Sequence, residues 1–381
     1  MAKVIFLDQY AGLGGGQRIL IDLARAFREA GDDVGVFVPG DGDAAKALQG
    51  DGFSVEDIPL PSMTPGGKAL SEKLAYPFQA RRVASALVRA LASRDVDLLY
   101  ANGPRTFLPA VLAASRLEVP VACALHLIFR GGLERRLIRW CFSRKCVRSA
   151  VFCSRAAAEP FSEFLESGKG FVQHYWVSPD FLERPSLRGP HRRDLGLKEG
   201  DFAVGVLGRI SPTKGQALFL DALIPLLPGY PDLRLFVAGG ADFESPGEEE
   251  RLRERGRAAE SGRIVFTGGM VEAIPFLDAM DVLVVPSQWD EPFGLVAVEG
   301  MARGLPVVAT GTGGLREIVE DGVTGFHIEK NAESLRKAVK GFLDKRSMAS
   351  AMGTAGRKRV EAHFHPDRCI GNIMVRVHGH L

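Results

Sequence analysis

Residues Val282–Thr310 read VLVVPSQWDEPFGLVAVEGMARGLPVVAT. Four apolar residues, Val282–Val285, run into a proline-bounded loop, Pro286–Pro292, that holds Glu291. A helical pattern over about 295–303 follows, then Gly304, then a second apolar run at Val307–Ala309. Strand, helix and strand in that order predict a parallel pair joined by a helical crossover, the unit of an α/β sheet. Glu291 and Glu299 are separated by seven residues, with Phe293, Gly294 and Leu295 entering the helix between them. The spacing places Glu291 in the loop above the strand end and Glu299 two turns into the helix, both aimed at one cleft. Amides of Phe293–Leu295 would meet a phosphate at the helix N-terminus. The alternative is a solvated carboxylate pair on an amphipathic helix. The apolar surroundings of Glu299, which are Ala297, Val298, Gly300 and Met301, weigh against it.

The same alternation extends outward in both directions. Apolar runs at Val4–Leu7, Val34–Phe37, Leu98–Tyr100, Val121–Leu125 and Ala150–Cys153 read as strands. Helical patterns fall between them at about 17–30, 79–93, 106–117 and 133–146. In the first helix Ile19, Leu20, Leu23 and Phe27 share a face, away from Arg18, Asp22, Arg25 and Arg28. The pattern lapses over about 176–200, where breakers and charges such as Pro179, Pro185 and His191–Arg193 suggest a linker. It restarts with strands at Ala203–Leu207, Leu233–Ala238, Ile264–Thr267, Val282–Val285 and Val307–Ala309. Helices are expected near 216–227, 248–260, 273–279, 295–303 and 333–343. The expected architecture is α/β, with two doubly wound Rossmann-like domains of residues 1–176 and 177–363. The segment 364–381 is expected to pack back onto the first domain. Ligands in such sheets bind at the carboxyl ends of the strands.

Composition narrows the possible functions. The chain has 381 residues, enough for two cores, and is 46% hydrophobic and 25% charged with a net charge of +2. That balance argues against nucleic acid as a partner. The five cysteines, Cys123, Cys141, Cys146, Cys153 and Cys369, show no CxxC spacing and read as reduced thiols of a cytoplasmic protein. The apolar run at Val4–Leu7 is too short for a signal peptide, and no run reaches the length of a membrane span.

Two further motifs follow the first strand of each half. Gly12-Leu13-Gly14-Gly15-Gly16 opens the first helix and is a ready anion site, with a flexible tight turn as the alternative. It is not the dinucleotide fingerprint, because Gln17 stands where the final glycine belongs, nor a Walker A loop, because no lysine follows. In the second half the chain reads Gly208-Arg209-Ile210-Ser211-Pro212-Thr213-Lys214-Gly215. Arg209 as a planar fork and Lys214 as a point charge would converge on a diphosphate. Ordinary surface cations are the competing reading.

These residues together resemble glycosyltransferase family 4, the retaining enzymes of the GT-B fold. The resemblance rests on Gly208-Arg209 with Lys214-Gly215, Phe266-Thr267-Gly268, Glu291 with Glu299, Gly304–Val308, Gly313-Gly314, Glu317–Val319 and Asp321–Gly325. Gly15-Gly16 with the first helix also fits. It implies two domains facing across a cleft and transfer of a sugar from a nucleoside-diphosphate sugar to a carbohydrate or lipid-linked acceptor. Anomeric configuration would be retained, without a protein nucleophile. It further implies that Arg209 and Lys214 hold the diphosphate, Glu291 the donor sugar and Glu299 the ribose. The backbone around Met270 would lie near the base, and His126 near the reacting sugar. No cofactor beyond the sugar nucleotide and no metal is expected, since no Asp-x-Asp motif accompanies these residues. Two departures stand out. Gly31-Asp32-Asp33 replaces a usual Gly-His pair, and His174–Asp180 replaces a usual Asn-Gly-Val-Asp.

Arg130–Arg148 carries seven Arg or Lys residues and one acid, Glu134, interleaved with Leu133, Leu137, Ile138, Trp140 and Phe142. Peripheral contact with the anionic inner face of a membrane is one reading. A packed helix with a solvated cationic face is the other, and the small net charge favours it. Two further alternatives remain for the whole chain. An NAD-dependent oxidoreductase is opposed by Gln17, and a non-catalytic sugar-binding module by the retention of Arg209, Lys214 and both glutamates.

Overall fold

The computed structural model describes residues 1–60, 70–240, 245–259, 262–269 and 272–379. The chain divides into two compact units, Met1–Tyr175 with Asp367–Leu381, and Trp176–Pro366. Strands of the first unit are β1 (Lys3–Asp8), β2 (Asp33–Val38), β3 (Ser54–Asp57), β4 (Leu98–Asn102), β5 (Val121–Leu125), β6 (Val147–Phe152) and β7 (Gly170–Val172). They form one parallel sheet in the order β3-β2-β1-β4-β5-β6-β7. The second unit contains β8 (Phe202–Leu207), β9 (Leu233–Ala238), β10 (Ile264–Gly268), β11 (Val282–Val285), β12 (Val307–Thr310) and β13 (Gly325–Ile328). They too are all parallel, in the order β10-β9-β8-β11-β12-β13. Each sheet reverses its winding direction once, between β1 and β4 in the first and between β8 and β11 in the second. Both units are therefore doubly wound.

Every strand expected from an apolar run is present. β3, β7 and β13 are additional, and each lies at a sheet edge. β3 reads Ser-Val-Glu-Asp, too polar to stand out, and its Glu56 carboxylate pairs with Arg94. β6 begins earlier than expected because Arg148, exposed at its second position, interrupts the apolar run. The helix Gly15–Glu29 buries Ile19, Leu20, Leu23 and Phe27, the face that its 3.6-residue period indicated. The Phe142 ring sits among Phe107, Phe152, Phe161 and Phe164, each 5.4–5.8 Å away between centroids. Within the first unit the helix Pro366–His378 brings His378 to Asp32, 2.7 Å apart, and against the Phe27 ring. Asp32, one of the two departures from the family pattern, thus has a structural partner.

The stretch that reads as a linker is built into the second unit. It holds the helices Pro179–Glu183 and Arg188–Asp194. Arg188 and Arg192 reach Asp281 at 2.5 and 3.0 Å, and Arg192 also donates to the Asp201 carbonyl at 2.6 Å. Behind them lies a sealed ion pair. Arg303 donates to both carboxylate oxygens of Asp278, at 2.7 and 3.1 Å, and to the carbonyls of Phe181 and Arg184. The two side chains are 1% and 0% exposed. Removing one partner of such a pair leaves a buried charge uncompensated, so Arg303→Leu is expected to cost about 3–5 kcal/mol. Urea unfolding followed by circular dichroism reads this. An unchanged midpoint would mean that the pair does not anchor residues 181–188.

Candidate functional site

In the second unit the loops after β8 and β11 meet at the point where the sheet reverses. The turn after β8 carries Arg209, which is exposed, and Lys214 on a short 3-10 turn, Pro212–Lys214. Gly215 follows at φ +76°, and a Cβ there would stand 2.0 Å from the Pro286 carbonyl oxygen. Only a residue without a Cβ allows the two loops to touch at backbone level. The Gln288 amide donates to the Thr213 carbonyl at 2.8 Å, closing the contact. Gln216 holds the base of the turn by donating from Nε2 to the Arg209 carbonyl at 2.9 Å.

This contact joins Lys214 and Glu291, which are 77 residues apart in sequence, as an ion pair. The Glu291 side chain is 8% exposed and that of Lys214 26%. Ser287 donates from Oγ to Glu291 Oε1 at 2.9 Å, and Thr310 donates to the Ser287 carbonyl at 3.0 Å. From the other side Gly313, at φ +57°, brings its backbone against Glu291. A Cβ at Gly313 would meet the Glu291 carbonyl at 2.2 Å, and the neighbouring Gly314 amide donates to that carbonyl at 2.7 Å. The Lys214 ammonium also lies 5.9 Å from the Trp289 ring centroid, within cation–π range. Ser287 and Trp289 were not singled out in the sequence. The Ser-Gln-Trp stretch between strand and acid was the available signal.

Leu295–Ala302 forms the helix after this loop, with Gly294 as its N-cap. Phe293 is buried, its ring edge-on to Phe364 at 6.0 Å, and anchors the helix entrance. Glu299 is the fifth residue of the helix and half-buried. The helix starts where expected, at Leu295, so the expectation of two turns is corrected to little more than one: at 3.6 residues per turn the fifth residue lies about 1.4 turns in. Met270 lies outside the described residues.

In the first unit polar side chains gather at the carboxyl ends of β1, β4 and β5. Asp8 and Asn102 are the last residues of neighbouring strands and stand opposite one another in register. His126 follows β5 directly. Asn102 donates from Nδ2 to Asp8 Oδ2 at 2.5 Å, and its Oδ1 faces His126 Nε2 in a short hydrogen bond. Asp8 Oδ1 accepts from Gln17 Nε2 at 2.9 Å and from the Tyr10 amide at 2.8 Å. Burial raises the Asp8 carboxyl above its ordinary value, against the lowering effect of the hydrogen bonds from Asn102 and Gln17. Burial also pushes the His126 imidazolium down to about 4, so the ring is neutral at physiological pH.

Gly15 and Gly16 are the first residues of the helix Gly15–Glu29. Gly16 packs against the imidazole, and a Cβ there would be 3.7 Å from His126 Cδ2. The structure therefore brings Gly16 and His126 together. Asp8, Asn102 and Gln17 join them, although the sequence reading passed over Asp8 and Asn102. Each is a single polar residue ending an apolar run, which looks like the start of a loop.

The basic stretch is not one helix. Gly132–Ser143 is helical, Arg144–Cys146 turns, and Val147 and Arg148 already belong to β6. Arg139 is engaged by Glu163, at 2.5 Å, and by the Pro160 carbonyl. Leu133 and Trp140 are 72% and 40% exposed, with the Arg144 guanidinium 4.4 Å from the Trp140 ring centroid. Arg136, Lys145 and Arg148 are exposed as well. Among the described residues no helix is long and apolar enough to cross a membrane.

Comparison with known proteins places this geometry. Residues 14–169 match the model of a glycosyl transferase 4-like domain, and residues 188–359 that of the glycosyl transferases group 1. The lipopolysaccharide core biosynthesis mannosyltransferase LpsB of Rhizobium meliloti is 30% identical over 319 residues, covering 79% of this chain and 87% of that protein. A D-inositol 3-phosphate glycosyltransferase of Streptomyces avermitilis is 32% identical over 271 residues, covering 66% of this chain and 58% of that one. Among solved structures, HepE of Anabaena in complex with UDP and glucose superposes with a TM-score of 0.83 at 24% identity, covering 99% of this chain and all of that one. WaaG, a glycosyltransferase involved in lipopolysaccharide biosynthesis, does so with a TM-score of 0.71 at 18% identity, over 97% of this chain and 99% of that one. A GT-B fold, both family models and a relative matched over most of its length agree, and the chain belongs to the group 1, family 4 glycosyltransferases.

Proposed function

We propose that this enzyme transfers a sugar from a nucleoside-diphosphate sugar to an acceptor hydroxyl with retention of anomeric configuration. The observation that carries the proposal is the pinned Lys214–Glu291 pair at the switch point of the second sheet, with Arg209 exposed on the same turn. The reaction breaks the bond between the anomeric carbon and the diphosphate oxygen and forms one to the acceptor oxygen. The acceptor proton passes to the departing phosphate on the same face, so no protein nucleophile takes part. Arg209 and Lys214 face the charge that grows on the leaving group, and cations can fill that role without a metal. Glu291, held by Ser287 and neutralised by Lys214, accepts hydrogen bonds from sugar hydroxyls. Glu299 does so from the ribose, and His126 contributes on the donor-sugar side. Complexes of HepE with UDP and with UDP-glucose support a uridine nucleotide as the first donor to try.

Glycan or lipopolysaccharide synthesis is the setting that the relatives' activities support. For a lipid-linked acceptor, the exposed Leu133 and Trp140 and the exposed cations Arg136, Lys145 and Arg148 are the groups that would meet an anionic bilayer at the cytoplasmic side.

Three outcomes test this reading. Arg209→Ala and Lys214→Ala are each expected to lower turnover by about a hundredfold with the circular dichroism spectrum unchanged. Near-normal rates in either would remove it from the diphosphate site. In calorimetry, Glu299→Gln should weaken binding of the free nucleoside diphosphate, whereas Glu291→Gln should weaken mainly the sugar-bearing donor. Equal losses for both ligands would mean that the two roles are wrongly divided. Each surface cation contributes about 1 kcal/mol of attraction to an anionic bilayer, an effect that salt screens. Sedimentation with phosphatidylglycerol vesicles is therefore expected at low salt and should fall on replacing Arg136, Lys145 and Arg148 by Ser. A wild-type protein that never sediments points to a soluble acceptor.

A further inference from the structure

The chain of hydrogen bonds that ends at His126 has a direction, and the direction can be read from its far end. Asp8 Oδ1 is occupied by two donors, Gln17 Nε2 and the Tyr10 amide. Its Oδ2 faces Asn102 Nδ2, and the Gly16 carbonyl, which can only accept, lies 3.3 Å from the same nitrogen. Asn102 therefore presents its NH2 group to these two oxygens. Its carbonyl oxygen is then turned to His126 Nε2. A neutral imidazole has one donor and one acceptor nitrogen, and which is which follows from the partner that the donor finds. Facing a carbonyl oxygen, Nε2 must carry the hydrogen, and Nδ1 is left as a bare acceptor. Nδ1 is also buried and has no hydrogen-bond partner among the described residues. A buried acceptor left unsatisfied costs free energy unless a ligand group supplies the hydrogen.

We propose that Asn102, oriented by Asp8 and the Gly16 carbonyl, is a positioning residue that locks His126 in the Nε2–H tautomer, so that Nδ1 is the one ring nitrogen left to accept a substrate hydroxyl's hydrogen. The arrangement selects for a donor. A hydroxyl hydrogen satisfies Nδ1, whereas a carbonyl or phosphate oxygen meets a lone pair and is repelled. That selectivity distinguishes the sugar part of a nucleotide sugar from its diphosphate. It also keeps the ring out of proton transfer at Nε2, whose hydrogen stays bonded to an amide oxygen of negligible basicity. The role of His126 toward the sugar rests on the function proposed above, but the tautomer does not.

The test reads the tautomer directly. Long-range proton–nitrogen correlation spectra of protein labelled with nitrogen-15 histidine distinguish the two nitrogens, and His126→Gln identifies the signals among the eight histidines. Wild type is expected to show Nε2 protonated and Nδ1 bare. Asp8→Asn puts an amide where the carboxylate was, so Asn102 is no longer oriented by both acceptors, and a mixture of tautomers is expected. Asn102→Leu removes the acceptor and should release the tautomer altogether. It should also lower kcat by about tenfold to a hundredfold, the range found for partners that orient metal-bound histidines. Binding of the free nucleoside diphosphate should be unchanged. An Nδ1–H tautomer in the wild type overturns the proposal, as does an unaltered Nε2–H spectrum in both Asp8→Asn and Asn102→Leu. If the tautomer behaves as expected but neither Asn102→Leu nor His126→Gln affects turnover, the positioning stands and the donor-sugar role of His126 falls.

Discussion

Parallel pairing is the constraint from which the rest of this structure follows. Two parallel neighbours cannot be joined by a hairpin, so every connection climbs back over a face of the sheet, here through a helix. All carboxyl ends of the strands, with the loops that leave them, therefore collect at one edge of each sheet. Where the winding reverses, the loops on either side depart in opposite directions and leave a crevice. That reversal lies between β1 and β4 in one unit and between β8 and β11 in the other. Asp8 with Asn102 stands at the first, and Lys214 with Glu291 at the second.

The two crevices use different means to hold their side chains. In the second unit the acting residues sit on loops, which are rigid because backbone touches backbone at Gly215 and Gly313. An ion pair placed there stays partly wet, which suits groups that must exchange one another for a charged ligand. In the first unit the acting residues are the strand ends themselves, fixed by register, and their coupling is a chain of hydrogen bonds in a dry setting. Burial that would punish a charged imidazole instead keeps His126 neutral and able to act as an acceptor.

What could be read from the residues in order differs accordingly. Strands and helices were legible because apolar runs and 3.6-residue periods are local signals. Glu291 was legible too, since a strand end, a proline-bounded loop and a helix start surround it within a few residues. Asp8 and Asn102 were not, because their contact spans 94 residues and depends on which strands become neighbours. The charges of the segment around 188–193 read as part of a linker for the same reason. Their partners, Asp278 and Asp281, come about ninety residues later and are recognisable only once the fold has formed. In the basic stretch, read as a packed helix with a solvated cationic face, the pairing of Arg139 with Glu163 was likewise hidden by sequence distance.

Gln17 links the missing motif to the site that is present. In a dinucleotide fingerprint the third glycine lets the helix approach the strand closely, and this chain has a long polar side chain there instead. Both ends of that side chain are used. Oε1 accepts from the Gly14 amide at 3.2 Å and so closes the first turn of the helix, while Nε2 donates to Asp8. A glycine at this position would leave the Gly14 amide without this acceptor and Asp8 Oδ1 with one donor fewer. Burial raises the Asp8 carboxyl, and the hydrogen bond from Gln17 is one of the contacts that work against that rise and favour its charged form. The residue that rules out a dinucleotide site is thus the same one that stabilises the acid behind His126.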